Sequence, residues 1–218
     1  MSTLRRAALL LVLPALLAAC SASVPGTAGK PLARPASSAP GLTASPAAGP
    51  AVTQATSAPT SASFTCSNQL SGGKPGMVQL TDVRVASHRG FDRITFQFAG
   101  AGSYPATGQA AVPVYQVAMM PSANFVRDPS GFRLQLAGSA GLGIVFQGAS
   151  DVDSTMSNAP RTYNGSLDIH AGLPAVREVA ELGDFERVLS WGVGLSSSPC
   201  LRTTELSNPS RLVIDVRS

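Results

Sequence analysis

The sequence predicts an all-β fold, a β-sandwich built from short and mostly antiparallel strands. Three observations indicate it. From residue 64 onward, apolar residues alternate with polar ones in short runs, which is the period of a strand with one buried face. Gly, Asn, Asp and Pro separate these runs at short intervals and mark turns. No window longer than ten residues combines helical spacing of apolar residues with capping residues.

Residues 1–20 are predicted to be a signal peptide that takes no part in the fold. Arg5 and Arg6 precede an apolar run that ends at Ala19 and is short for a membrane span. The run closes on Leu-Ala-Ala-Cys, which resembles the lipobox of bacterial lipoproteins. The resemblance implies that the thiol of Cys20 takes a diacylglycerol, which anchors the protein on the extracytoplasmic side of the cell membrane. The alternative is an ordinary signal peptide with a chance cysteine.

Residues 21–63 are predicted to be a disordered linker. Of these 43 residues, 36 are Ala, Ser, Pro, Gly or Thr, so the stretch has almost nothing to bury in a core. Such a segment is typical of a tether that lifts a domain away from the membrane and into the wall. The remaining residues, 64–218, have a normal length for one domain.

The alternating runs place the strands of this domain in chain order. The first two, over residues 78–87 and 91–99, are joined by a turn at 88–90. Within the second, Ile94, Phe96 and Phe98 alternate with Arg93, Thr95 and Gln97. Further strands are predicted at residues 113–119, 132–136, 142–146, 200–206 and 211–217, the last two being joined by a turn at 208–210.

A hairpin over residues 176–195, with its turn at 183–186, is the most clearly patterned part of the domain. One face of its second strand is expected to face the core and carries Leu189, Trp191, Val193 and Leu195. The single tryptophan is expected to be the largest core residue. The opposite face is nearly smooth because Gly192 and Gly194 carry no side chain. A smooth strand face marks the close approach of another backbone or of a ligand.

The remaining two cysteines, Cys66 and Cys200, are predicted to form a disulfide. An exported protein lies in an oxidising compartment, and the bond would fasten the start of the domain to its next-to-last strand. In the loop-entropy model a closure of this length contributes about 4–5 kcal/mol to stability. The alternative is a pair of buried or reactive thiols.

Charge and motifs give little support for nucleic-acid binding or catalysis. The formal net charge is +4 for the whole chain, and no basic stripe is interleaved with aromatic residues. We expect no enzymatic activity, no cofactor, no metal centre and no nucleic-acid partner. The minor alternative is a hydrolase that takes its acid and base from the polar stretch 148–174, with Asp151, Asp153, Asp168 and His170 as candidates. That stretch lacks strand patterning, which is typical either of a functional loop or of a floppy insertion.

Three stretches resemble the motifs of AMIN-type domains: GFDRITFQF at residues 90–98, GDFE with WGVGL at 183–186 and 191–195, and NPSRLVIDV at 208–216. A Tyr-Asn-Gly turn at 163–165 is also similar. Together, over most of residues 78–217, they are most similar to the AMIN-like domain of actinobacterial lipoproteins. The resemblance implies a β-sandwich that binds and localises rather than catalyses, since AMIN domains accompany envelope amidases and secretins and hold them on peptidoglycan. Because the printed sequence shows no amidase or secretin portion after the last predicted strand, we expect the domain either to act alone or to recruit a partner in trans.

The residues with the chemistry for wall binding are Arg93, Thr95 and Gln97, which share the outward face of one strand, and Arg177 on the hairpin. Arginine forks bind carboxylates, and amide and hydroxyl groups bind sugars or peptides. The alternative is that they are ordinary solvated positions of a half-buried sheet. The favoured function is therefore a lipid-anchored module that binds peptidoglycan or acts as a scaffold there. The alternative function is a protein-interaction module for an envelope or secreted enzyme.

Overall fold

The computed structural model describes residues 63–102 and 105–218. The predicted signal peptide, the lipidation site at Cys20 and the predicted linker up to residue 62 lie outside the described residues. In the described ranges no helix has the length and apolarity needed to cross a membrane.

Thirteen strands form within the described residues, and they confirm the all-β prediction. In chain order the strands are β1 (Gln69–Gly72), β2 (Val78–His88), β3 (Phe91–Gly100), β4 (Val114–Met120), β5 (Asn124–Arg127), β6 (Phe132–Gln135), β7 (Ala140–Gln147), β8 (Ala149–Ser150), β9 (Asp168–Ile169), β10 (Val176–Phe185), β11 (Val188–Leu195), β12 (Leu201–Leu206) and β13 (Ser210–Arg217). The strands that sequence patterning does not predict are β1, β5 and the two-residue strands β8 and β9.

Two sheets enclose the main core. One contains six strands in the order β1-β4-β7-β11-β10-β9, and the other contains five in the order β12-β13-β3-β2-β8. Phe96 on β3 contacts Phe146 on β7 and Trp191 on β11, with ring centroids 5.2 and 5.7 Å apart. These edge-to-face contacts join the two sheets, and all three rings are fully buried. The predicted sandwich is therefore confirmed, with Trp191 in its core.

The hairpin of β10 and β11 forms as predicted, but its turn lies further along the chain. Phe185 pairs with Val188, so the turn consists of Glu186 and Arg187 rather than residues 183–186. Both turn residues have positive φ angles, 49° and 62°, as a two-residue loop that matches strand twist requires. The predicted position was wrong because Gly183 does not end the strand. It lies at an irregularity in the β10–β11 register instead.

The smooth face of β11 is covered by another part of the backbone, which confirms the expectation of a close approach. A Cβ atom at Gly194 would lie 2.0 Å from the carbonyl oxygen of Ala137, in the segment that follows β6. A Cβ at Gly192 would lie 3.2 Å from three ring carbons of Phe125 on β5. The two-stranded β5–β6 sheet and the segment after it therefore lie on the six-stranded sheet, where Phe125 and Leu136 belong to a second apolar cluster.

The predicted disulfide is present between Cys66 and Cys200, with 4.1 Å between the two Cα atoms. Next to it, Thr65 forms a bridge with Leu201 at the start of β12. The first described residues are thus held to the five-stranded sheet by a covalent bond and by backbone hydrogen bonds.

Candidate functional site

The outward face of the five-stranded sheet carries most of the residues that the sequence predicts for binding. Arg93, Thr95 and Gln97 lie on β3 at every second position, and the register pairs Arg93 with Asp215 and Gln97 with Arg211 of β13. The structure therefore brings these three residues together on one surface. Arg177 lies on β10 in the other sheet, so the structure does not bring it to the same surface.

Asp215 is the electrostatic centre of this surface. Its carboxylate is 1% exposed, and it accepts two hydrogen bonds from Arg93, at 2.7 and 3.0 Å. Arg202 on β12 donates to it from Nε at 2.9 Å and also from Nη2. Burial alone would raise the pKa of Asp215, but the hydrogen bonds from the two arginines outweigh it and hold the pKa below its ordinary value. One carboxylate thus orients two guanidinium groups.

A shallow depression of about 250 Å³ lies beside this ion-pair cluster. Its lining combines three arginines and a threonine with apolar side chains: Arg84, Arg93, Arg211, Thr95, Ala86, Leu206 and Val213. Arg84 on β2 pairs with Asp82 at 3.1 Å and donates to the Gln97 side chain at 3.2 Å.

Arg211 donates from Nε to the carbonyl oxygen of Pro209, at 3.2 Å. Among the described residues no carboxylate forms an ion pair with Arg211. The depression, defined here as the arginine groove, is therefore positively charged, with an apolar floor.

A layer of stacked aromatic and cationic groups closes one end of the same surface. The His88 ring stacks on Phe91 with centroids 4.9 Å apart, and the Arg93 guanidinium lies 5.3 Å from the Phe91 centroid. Arg202 lies over both Phe91 and Phe64, at 5.4 and 4.7 Å. Because Phe64 is next to the bridge at Thr65 and two residues from Cys66, these contacts also fix the start of the domain on the arginine-rich side.

Beyond Gln97 the surface continues into a larger depression of about 540 Å³. It is lined in part by Thr81 and Gln97, by residues 106–110 and by the turn that contains Asn208 and Pro209. Gln109 donates a hydrogen bond to Asn208 at 3.2 Å across this depression. Gln97 lines this depression and pairs across strands with Arg211 of the arginine groove, so the two depressions adjoin along the sheet.

The polar stretch 148–174 holds its acidic residues in different groups. Asp151 is fully buried and pairs with Arg161, which also pairs with Glu181 at 3.0 Å. Burial and the hydrogen-bonded carboxyl group of Asp184 raise the pKa of Asp151 to about 7, and Arg161 offsets only part of this effect. The arrangement ties the stretch to β10, which carries both Glu181 and Asp184.

The other three candidates for acid–base chemistry have different partners. Asp153 is buried and accepts hydrogen bonds from the amide and the hydroxyl of Thr155. Asp168 and His170 lie beside Glu178 on β10. The structure therefore divides the four predicted hydrolase candidates among separate local groups rather than bringing them into one set.

Sequence reasoning did not identify Arg84, Arg211 or Asp215 as part of the surface. All three lie on strands that the sequence predicts, and each occupies a strand position whose side chain is expected to point outward. What places them beside Arg93 is the order of the strands β13, β3 and β2 and their register.

A family model described as the AMIN-like domain matches residues 78–218. The chain belongs to the AMIN-like domain family. Comparison with curated proteins and with solved structures gave no significant match. AMIN-like domains are binding or scaffolding modules, and membership indicates a module of the cell envelope that is associated with peptidoglycan. The matched range contains every strand of the five-stranded sheet, so the arginine groove lies within the AMIN-like domain itself.

Proposed function

We propose that this protein is lipid-anchored at Cys20 and binds peptidoglycan through the arginine groove of its AMIN-like domain. The observation that carries the proposal is the charge and shape of the groove, with the guanidinium groups of Arg84, Arg93 and Arg211 around an apolar floor. The lipobox-like sequence before Cys20 supports the anchor. The domain's family supports the envelope as the place of action.

The chemistry of the groove suits the stem peptides of peptidoglycan, which carry carboxylates next to short apolar side chains. A guanidinium group presents a planar fork of donors that matches a carboxylate, and such bonds are stronger than neutral ones. The floor, with Ala86, Val213 and Leu206, offers contact for methyl groups. Thr95 also lines the groove and adds a neutral hydroxyl group.

Arg84 and Arg211 are the better residues to change, because Arg93 also stabilises the fold. Removing Arg93 would leave the buried Asp215 carboxylate with fewer partners, and that change destabilises a protein independently of any ligand. The side chains of Arg84 and its partner Asp82 are 55% and 38% exposed. Loss of an exposed pair of this kind costs little stability.

The test is sedimentation of residues 64–218, with the disulfide intact, together with purified cell-wall sacculi. Because each lost charge-assisted hydrogen bond contributes on the order of 1.5–3 kcal/mol, Arg84→Ala with Arg211→Ala should weaken saturable binding by about tenfold or more. The matched control is Lys74→Ala with Arg133→Ala, which removes the same charge from exposed residues outside the five-stranded sheet and should bind like the wild type. Arg177→Ala is measured separately, because a loss there would reveal a second binding surface on the other sheet.

Equal losses in the test pair and the control pair would contradict the groove and indicate general attraction between charges. If the wild type does not sediment, the peptidoglycan proposal fails and the alternative gains support. That alternative is a protein-interaction module, and one observation favours it: Phe132, Phe185 and Val188 are 64%, 55% and 37% exposed. Crosslinking in the intact envelope would then capture a protein rather than glycan.

A further inference from the structure

Three side chains with metal-binding chemistry meet where the stretch 148–174 returns to the six-stranded sheet. Asp168 and His170 are two residues apart at strand β9, so both point to the same face. The antiparallel register places Glu178 of β10 opposite His170, one pair beyond Val179 and Ile169. One ligand atom from each of the three residues lies within 4.8 Å of the other two.

The two carboxylates approach different nitrogens of the His170 ring, and an ion bound at Nδ1 would lie beside Glu178, with an Asp168 oxygen within the 4.8 Å limit of the group. Nδ1 of His170 lies 3.5 Å from Oε1 of Glu178, and Nε2 lies 3.9 Å from Oδ2 of Asp168. Neither contact is a hydrogen bond. Two ligands of a tetrahedral zinc ion, with bonds of about 2.1 Å, lie about 3.4 Å apart. The His170–Glu178 separation is already close to this value.

The two carboxylates in the group are held in place, but not all of their oxygens accept a hydrogen bond. The Glu178 side chain is nine-tenths buried, and its Oε2 accepts a hydrogen bond of 2.6 Å from the amide of Ala137. Its Oε1, which faces His170, accepts no hydrogen bond from the described residues. Oδ1 of Asp168 is buried and has no donor in the described part of the chain, while Oδ2 of the same carboxylate is the oxygen near His170. A buried carboxylate oxygen without a partner carries a free-energy cost that a cation bound to the same carboxylate reduces.

We propose that Asp168, His170 and Glu178 bind a divalent cation of the zinc class. An imidazole nitrogen with two carboxylates suits zinc and similar transition metals, whereas calcium and magnesium prefer oxygen ligands alone. The Ala137 amide acts as the outer partner that orients one ligand, a role usual in metal sites. Because His170 is 77% exposed, the site opens to solvent and leaves a coordination position for water.

This site goes beyond peptidoglycan binding, since it lies on the six-stranded sheet and not at the arginine groove. Strand β9 has only two residues and forms the edge of its sheet. An ion shared between β9 and β10 would fasten this edge, and with it the end of the stretch 148–174, to the rest of the domain. Metal binding is then expected to stabilise the protein by an amount that rises with the logarithm of the metal concentration above the dissociation constant.

The test is calorimetric titration of zinc chloride into the untagged full chain, purified in detergent with its disulfide intact, near neutral pH. We expect one ion per chain in the wild type. His170→Ala and Glu178→Gln should each weaken binding by more than tenfold, since even outer partners of metal ligands contribute 10- to 100-fold. The control is His88→Ala, which removes the only other histidine of the chain and should leave the affinity unchanged. Calcium chloride should give no comparable binding.

A thermal unfolding series measures zinc binding in a second way, which does not depend on the heat of binding. Zinc should raise the melting temperature of the wild type and of His88→Ala, and should leave that of His170→Ala unchanged. Because His170 is largely exposed, its replacement by alanine is expected to leave the fold intact, which circular dichroism checks. The proposal is wrong if the wild type binds no zinc, or if His170→Ala binds zinc as tightly as the wild type does.

Discussion

Replacement of Gly194 by alanine tests the close contact between β11 and the segment after β6. The added Cβ would lie 2.0 Å from the carbonyl oxygen of Ala137, 3.0 Å from its carbonyl carbon and 3.1 Å from Cβ of Leu136. The backbone must therefore move by more than about 1 Å to restore normal contacts. It is held against such a movement, because the amide of Leu136 donates to Ala123 and the amide of Ser139 donates to Leu195, at 2.9 and 2.8 Å.

The expected cost follows from the kind of atom that the new methyl group meets. Overpacking of a core costs about 1–3 kcal/mol, and a clash with hydrogen-bonded backbone belongs at the upper end of this range. For a domain of this size, about 3 kcal/mol corresponds to a melting temperature lower by about 6–12 °C. Urea denaturation followed by tryptophan fluorescence measures the change directly, because Trp191 is on the same strand and is fully buried.

Two other glycines provide matched controls. At Gly192 the three atoms nearest to the new Cβ would be ring carbons of Phe125, at 3.2 Å, and a side chain can shift, so Gly192→Ala should cost about 1 kcal/mol. At Gly76 nothing lies within 4 Å, so Gly76→Ala should be neutral or stabilising by up to about 1 kcal/mol. If Gly194→Ala loses no more stability than Gly76→Ala, the argument that this backbone contact requires glycine is refuted.

Two further predictions concern covalent and electrostatic stabilisation. Because Cys66 and Cys200 are 134 residues apart, their simultaneous replacement by serine should lower the free energy of unfolding by about 3–5 kcal/mol, measured in urea. A loss below about 1 kcal/mol would contradict the loop-entropy argument. The pKa of Asp151 is raised to about 7 in the folded protein, so the native state holds a proton that the unfolded chain releases near pH 4. The contribution of Asp151 to the free energy of unfolding should therefore fall as pH rises from about 4 to about 7. Asp151→Asn should flatten this part of the curve of unfolding free energy against pH. An unchanged curve would contradict the raised pKa.

The sequence predicts the long strands well because a period of two is a local property. Ile94, Phe96 and Phe98 face the core, and Trp191 is fully buried, as the alternation indicates. The two-residue strands β8 and β9 have no periodicity to detect, because their pairing partners define them. The predicted position of the hairpin turn, at residues 183–186, was wrong for a related reason. Glycine and aspartate favour turns in general, but Gly183 is kept inside a strand by its partner Ser190 on β11.

The binding surface could be predicted only in part, for the same physical reason. Arg93, Thr95 and Gln97 share a face because they belong to one strand, so spacing alone is sufficient. Arg84 and Arg211 join them through strand order and register, which depend on the packing of the whole sandwich. Arg177 is separated from them because its hairpin belongs to the six-stranded sheet, and no local pattern distinguishes the two sheets.

The stretch 148–174 shows why composition alone does not determine how a loop behaves. Its polar residues favour solvation, yet Asp151 is fully buried, and the hydroxyl of Thr162 donates to the carbonyl oxygen of Leu80 at 2.8 Å. Tyr163 packs edge to face on Trp191, with centroids 5.9 Å apart. The stretch is therefore ordered by contacts with the core. Of the two alternatives that its composition allows, the floppy insertion does not agree with these contacts. These contacts place Asp168 and His170 at the sheet edge, beside Glu178. The three residues form one group of candidate ligands only because the fold brings them together.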